Sequence, residues 1–213
     1  MMRIVVLISG SGSNLQAIID ACNDGTIPGT IEAVISNKAD AFGLERAKRG
    51  GIATEVINHK DFADRESFDD ALLACVNAYQ PDLVIMAGFM RILTPNFITP
   101  LLGKMINIHP SLLPKYTGLH THQRAIDAGE KEAGATVHFV TEELDGGPPV
   151  IQTAVPIFAG DDASQLAARV LQQEHKIFPL AAKWFCEGRL TLENGKAILD
   201  GDILPDSGFT FND

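Results

Sequence analysis

Short apolar runs alternate along this chain with longer stretches whose apolar positions recur every three or four residues, the pattern of strands interleaved with helices. The first run covers 3–8 and is followed by a polar turn and an amphipathic stretch at 13–23. The same alternation predicts strands at 31–35, 53–57, 82–87 and 104–108, and helices at 41–50, 65–79 and 95–102. Strands joined through helix-length connections lie parallel, because only a long crossover returns the chain to the same end of the sheet. Beyond a predicted helix at 120–129 the pattern changes. Runs at 134–140 and 150–157 are separated by a turn at Asp145, Gly146 and Gly147, a connection short enough for an antiparallel pair. A long helix at 163–187 and a small hairpin of 188–192 with 197–199, turning at Asn194 and Gly195, complete the pattern. The expected fold is α/β: a Rossmann-like open sheet, parallel in its N-terminal part and antiparallel in its C-terminal strands, with helices on both faces. No Ser/Gly-rich or Pro-rich linker divides the 213 residues, so we read one domain over 1–213, with halves at about 1–104 and 105–200.

Composition narrows the classes. A hydrophobic fraction of 46% suits a globular core. The longest apolar runs fall far short of the ~20 residues of a membrane span, and 1–3 lead directly into a strand instead of a signal peptide, so the expectation is a cytoplasmic protein with no membrane partner. The net charge is −10, with acidic residues scattered and no block of Lys or Arg, which argues against a nucleic-acid partner. An anionic small ligand then has to be held locally, by backbone N–H groups and a few arginines. Cys22, Cys75 and Cys186 lie far apart with no CxxC pair, the spacing of reduced thiols rather than of a disulfide frame or a metal knuckle. Nothing in the pattern fixes the oligomeric state, and a homodimer stays open.

In open α/β sheets ligands bind beyond the carboxyl ends of the parallel strands, which directs attention to the loops after Ile8, Ala87 and Ile108. The first, SGSGSNL at 9–15, consists of small residues before a helix, so its backbone N–H groups can close on an anion at the positive helix end. It is not a P-loop, because no Gly-Lys-Ser/Thr follows, and Leu15 stands where a dinucleotide fingerprint needs its third glycine. A monophosphate site is favoured over a plain tight turn or a dinucleotide site. The third loop begins with Asn107 and His109 on one strand, and positions i and i+2 of a strand face the same side. Both groups can therefore reach one reacting atom, although either alone reads equally well as a satisfied strand-end residue. Asp145 on its turn completes a carboxylate, imidazole and amide set, or is simply a turn residue. A carboxylate beside an imidazole favours the cationic ring, and a cationic ring next to an amide N–H suits a developing oxyanion. A metal held by His109, His120, His122 and His138 is discounted, because no HxxxH or carboxylate spacing supports it. The loop after Ala87 carries Phe89, Met90, Ile92 and Leu93, apolar enough either to line a pocket for a flat ring or to pack on a neighbouring helix.

These segments together resemble the phosphoribosylglycinamide formyltransferase family of folate-dependent formyltransferases. The likeness runs from Arg3 to about Leu199 and rests on ISGSGSNLQ at 8–16, SNKADAFGL at 36–44, AGFMRIL at 87–93, NIHPSLLP at 107–114 and HFVTEELDGGP at 138–148. The resemblance implies transfer of a formyl group from 10-formyltetrahydrofolate to the amine of glycinamide ribonucleotide in purine biosynthesis, with neither metal nor nicotinamide. It implies that Asn107, His109 and Asp145 form the catalytic set, and that Gly12, Ser13 and Asn14 hold the ribonucleotide phosphate with Glu174 near the ribose. By the same likeness Arg65, Met90, Arg91, Ile92 and Leu93, with Asn107, shape the folate site. The phosphate then belongs to the half at 1–104, catalysis and folate to the half at 105–200.

Three positions depart from the family pattern: Thr117 where proline is common, Pro149 where an aliphatic residue is usual, and Leu171 where a polar residue is frequent near the ribose. Pro149 lacks a backbone donor, so a looser or shifted strand start is expected there. Rival readings are a formyltetrahydrofolate deformylase, which offers water to the same polar trio but usually carries an extra N-terminal domain, and a catalytically silent ribonucleotide-binding module. A methionyl-tRNA formyltransferase shares the Ser-Leu-Leu-Pro region but needs a basic C-terminal domain.

Overall fold

The computed structural model describes all of residues 1–213. Five strands form its parallel half: β1 (Met2–Ile8), β2 (Gly29–Ser36), β3 (Ala53–Val56), β4 (Leu83–Met86) and β5 (Met105–His109). β6 (Glu132–Phe139) runs antiparallel to β5, and β7 (Pro149–Pro156) antiparallel to β6. β8 (Leu190–Glu193), β9 (Lys196–Leu199) and β10 (Asp202–Ile203) form a separate three-stranded sheet. β11 (Phe209–Thr210) returns to pair with β7 in parallel, giving an eight-stranded main sheet ordered β11-β7-β6-β5-β4-β1-β2-β3.

The order β3-β2-β1-β4-β5 is the doubly wound arrangement, with its reversal between β1 and β4. Burial explains it. Ile4 to Ile8 have no exposed surface, because helices cover both faces of β1. Ile4, Val6 and Ile8 pack with Leu15, Ile18 and Ile19 of α1 (Ser13–Asn23), Leu44 and Ala47 of α2 (Phe42–Arg49) and Val170, Ile177 and Phe178 of α6 (Ala163–Cys186). Val5 and Leu7 face the other way, onto Phe68, Leu72 and Val76 of α3 (Arg65–Ala78) and Phe97 and Ile98 of α4 (Pro95–Ile98). The period-two alternation of β1 thus splits the interior into two cores.

β5 obeys the same alternation. Ile106 and Ile108 join the α1/α6 core, whereas Met105 joins the α3/α4 core. Asn107 and His109 therefore emerge on the α3/α4 side, and beyond Met105 that core receives only Val140. The face of the sheet beyond it is covered by loops instead of a helix, and there the polar pair sits.

Local signals place the ends. Asp64 caps α3 by accepting from the Ser67 N–H, and Asp162 with Gln165 forms a capping box at the start of α6. Asn194 and Gly195 both adopt positive φ, as a two-residue hairpin turn requires. Three details differ from the sequence reading. The helix expected over 95–102 is α4 followed by a tighter 3₁₀ turn, Thr99–Leu101, entered through Pro100. Helix α5 (Thr121–Asp127) starts after His120, whose φ of 56° lies outside the helical range. β10 and β11 are too short to leave a periodic signal. Opposite Pro149 the β6/β7 register shifts between Val137 and His138, where a residue without an N–H cannot hold a regular ladder.

The three cysteines are free, and burial pushes the Cys22 thiol up to about 11 and that of Cys186 to about 12. No helix is long and apolar enough to cross a membrane.

A Cβ added to Gly134 in β6 would lie 2.0 Å from the Thr153 carbonyl oxygen of β7. Gly134→Ala is expected to lower the unfolding free energy by about 1–3 kcal/mol. Urea unfolding should show a lower midpoint at unchanged slope.

Candidate active site

Asn107 is half-buried in the middle of β5, in register with Met86 of β4 and His138 of β6. His109 ends the strand and is buried. Its Nε2 lies 2.7 Å from the carbonyl oxygen of Tyr116. A carbonyl only accepts, so Nε2 carries the proton. Its Nδ1 lies 3.5 Å from Oδ1 of Asp145, an ion-pair separation between side chains only 7% and 8% exposed. With an acceptor at each ring nitrogen, only the imidazolium offers an N–H to both.

Asp145 reaches this position because the connection 140–148 doubles back over the open sheet face. Its φ is 51°, and Gly147 packs so closely that a Cβ there would lie 1.8 Å from the Phe139 carbonyl oxygen. Oδ2 of Asp145 accepts from the Gly118 backbone N–H at 2.8 Å, which ties the 140–148 connection to the 110–122 loop. The latter loop is braced again at Lys115 and Tyr116, both of which donate to Glu130 Oε1 at 2.9 Å.

His138 entered the sequence reading as a strand residue and as a discounted metal ligand, with no place in the catalytic set. Nδ1 donates to the Phe139 carbonyl at 2.9 Å, which leaves the buried Nε2 as an acceptor with no partner. Burial holds its pKa below the ordinary histidine range, so this ring is neutral beside the His109/Asp145 pair. Its pairing register with Asn107 was the available signal, but an orphaned nitrogen is visible only in three dimensions. The Tyr116 carbonyl and the Gly118 N–H were equally invisible, since every residue carries such groups.

The phosphate-loop candidates lie at the start of α1. Gly12 has φ 74° and is the residue before the helix; a Cβ there would lie 2.6 Å from the Gly43 Cα. α2 is docked against the turn by the Gly43 N–H donating to the Gly10 carbonyl at 3.0 Å and by Arg46 Nε donating to the Ser11 carbonyl at 2.7 Å. Asn14 Nδ2 donates to Oε1 of Glu174 at 3.1 Å, which brings these two sequence-predicted residues together across α1 and α6. Burial raises the Glu174 carboxyl above its usual range, and the Asn14 hydrogen bond opposes that shift. Leu171 lies half-buried one turn before Glu174.

The folate-side candidates divide. Met90 and Ile92 are 62% and 54% exposed, and Arg65 is exposed at the first position of α3. Arg91 stacks its guanidinium 5.5 Å from the centre of the Phe68 ring, with Nε buried and unpartnered. Leu93 turns inward and packs in the α3/α4 core. No three His, Cys, Asp or Glu side chains gather in a metal-binding arrangement.

The formyl transferase family matches residues 2–182. The chain belongs to this family. It is 56% identical over 208 residues to a phosphoribosylglycinamide formyltransferase of Escherichia coli, covering 98% of each chain. A solved structure of the Coxiella burnetii phosphoribosylglycinamide formyltransferase superposes with a TM-score of 0.95 at 49% identity, over 99% of both chains. The human trifunctional purine biosynthetic protein adenosine-3 is 48% identical over 91% of this chain, which corresponds to 19% of that protein.

Glu174 supplies a stability prediction. Below the unfolded carboxyl pKa both states are protonated and the residue is neutral to stability. As pH rises through the raised folded value, the unfolded state ionises first and the native state loses stability relative to it. Glu174→Gln is therefore expected to stabilise the unliganded protein at pH 8 and to make little difference near pH 3. Thermal unfolding of both proteins across pH 3–8 measures this.

Proposed function

We propose that this chain transfers the formyl group of 10-formyltetrahydrofolate to the amino group of glycinamide ribonucleotide, a step of purine biosynthesis. What carries the reading is the ion pair between His109 and Asp145, brought together from two separate segments on the same open sheet face as Asn107, in a member of the formyl transferase family.

The substrate amine attacks the formyl carbon, and the carbonyl electrons move onto oxygen. Asn107 and the imidazolium of His109 donate to that oxyanion, a contribution of about 3–4 kcal/mol for each such donor. Nε2 donates to the Tyr116 carbonyl oxygen at 2.7 Å, so the oxyanion takes up this N–H by displacing that carbonyl. Asp145 holds the ring charged and oriented through Nδ1. Collapse of the intermediate breaks the bond to the folate nitrogen, which takes up a proton as the amine loses one, and the products are the formamide and tetrahydrofolate. Placing both substrates side by side supplies a further ~7–11 kcal/mol of the barrier.

Gly12, Ser13 and Asn14 hold the ribonucleotide phosphate through the first N–H groups of α1, and Glu174 receives the ribose. Met90, Arg91, Ile92 and Arg65 form the folate side. Leu93 serves that side through its backbone position, since its own side chain is in the core.

The assay mixes the protein with 10-formyltetrahydrofolate, with and without glycinamide ribonucleotide, and follows release of tetrahydrofolate. Release only when the ribonucleotide is present is expected. Release without it identifies a deformylase, and no release in either tube identifies a silent ribonucleotide-binding module. Asp145→Asn is expected to lower kcat by about 10²–10⁴-fold while leaving the ribonucleotide Kd within twofold. Unchanged turnover across neutral pH would remove Asp145 from the mechanism.

A further inference from the structure

A largely buried polar chain crosses the point where the strand order reverses, and none of its three side chains is among the catalytic, phosphate or folate candidates named above, although Ser9 opens the 9–15 turn. Ser9 closes β1, Asn37 follows β2, and His59 opens the 3₁₀ turn His59–Asp61 after β3. Ser9 and Asn37 are 5% and 2% exposed. Ser9 Oγ lies 2.5 Å from Asn37 Oδ1 and 2.8 Å from the backbone nitrogen of Met90, and Asn37 Nδ2 lies 3.2 Å from His59 Nδ1.

The proton directions follow from one fixed donor. The Met90 backbone can only give its N–H, so Ser9 Oγ accepts there and directs its own hydrogen to Asn37 Oδ1. This sets the amide orientation and turns Nδ2 toward His59, whose Nδ1 must then be the bare ring nitrogen. The ring is held edge-on to Phe68 at 6.4 Å, and Phe68 carries the Arg91 guanidinium on its face. Two adjacent loop residues, Met90 and Arg91, are thereby anchored to one network, Met90 by its backbone and Arg91 by its side chain. The exposed Met90 side chain thus stands on a backbone whose N–H is held by Ser9.

We infer that Ser9, oriented by Asn37 and His59, is a positioning residue for the folate side of the site: it pins the Met90 backbone so that the apolar platform of 88–93 is formed before ligand arrives. A platform ordered in advance spares the ligand the ordering cost. The inference rests on the proposed function for the identity of the ligand and on geometry alone for the pinning.

The test uses the full chain with Ser9→Ala, Asn37→Leu and Asn37→Asp. Aspartate still accepts from the Ser9 hydroxyl and can accept from a protonated His59, so it serves as the conservative rescue. Amide hydrogen exchange at Met90 reads the pinning, and steady-state kinetics read its consequence. Ser9→Ala and Asn37→Leu are expected to accelerate Met90 exchange and to raise the KM for 10-formyltetrahydrofolate about 3- to 10-fold. The kcat and the KM for glycinamide ribonucleotide should stay within twofold, and Asn37→Asp should restore both readouts. Unchanged Met90 exchange in Ser9→Ala overturns the inference, as do equal KM increases for both substrates, which would mean a disturbed 9–14 turn. If Asn37→Leu does not fold, Ser9→Ala decides by itself, since it removes one oxygen and leaves the carbon skeleton in place. A wild-type protein that turns over neither substrate defeats the proposed function, while Met90 exchange still decides whether the hydroxyl holds the loop.

Discussion

A single carboxylate with almost no access to water sits between a ring nitrogen and a backbone amide. Oδ1 of Asp145 faces His109 and Oδ2 accepts from Gly118, so one side chain spans the gap between two loops that share no other element. A buried carboxylate loses several kcal/mol of hydration and persists only where charge and donors replace the water. Here both replacements come from segments that reach Asp145 across space: the end of β5 and the loop that follows it. The charge requirement of one residue thus ties the 140–148 segment to the 110–122 loop, which Glu130 braces separately. Burial keeps the half-satisfied His138 ring neutral beside the His109/Asp145 pair.

The sheet divides labour between its two kinds of strand. The parallel part brings the ends of β1 and β4 together at the reversal of strand order, and both the 9–14 turn and the apolar 88–93 segment begin there. The antiparallel part leaves one face without a helix, because α5 and α6 pack on the opposite side with Ile106 and Ile108. Asn107 and His109 point to the bare face for no reason beyond the alternation of a strand whose other residues are committed to the core. An odd and even division of β5 therefore decides which side chains reach the open face.

Much of this was legible in the residues. The alternation of β1 and β5, the helix periods of α1, α3 and α6, and the Asn194-Gly195 hairpin were plain because they are local. The convergence of Asn107 with His109 followed from strand geometry, whereas the meeting of His109 with Asp145 did not, since no local rule says how far a connection will fold back. Leu93 shows the reverse case: with Phe89 it turns into the α3/α4 core, while Met90 and Ile92 of the same loop stay exposed. β11 was missed because two residues carry no period, and its surroundings come from distant segments: β7 beside it and the Trp184 ring 5.4 Å from that of Phe209. The backbone partners of His109 and Asp145 lay beyond any reading of side-chain types.

The contact between Gly12 and Gly43 couples two distant positions into one evolutionary constraint. A Cβ at Gly12 would lie 2.6 Å from the Gly43 Cα, and a Cβ at Gly43 would meet the Ile8 side chain at 2.4 Å and the Gly12 Cα at 3.2 Å, so a side chain at either position pushes α2 away from the turn it braces. A library that randomised both positions would recover glycine at each, so two residues thirty-one apart in the chain are held to one residue type by a single packed junction.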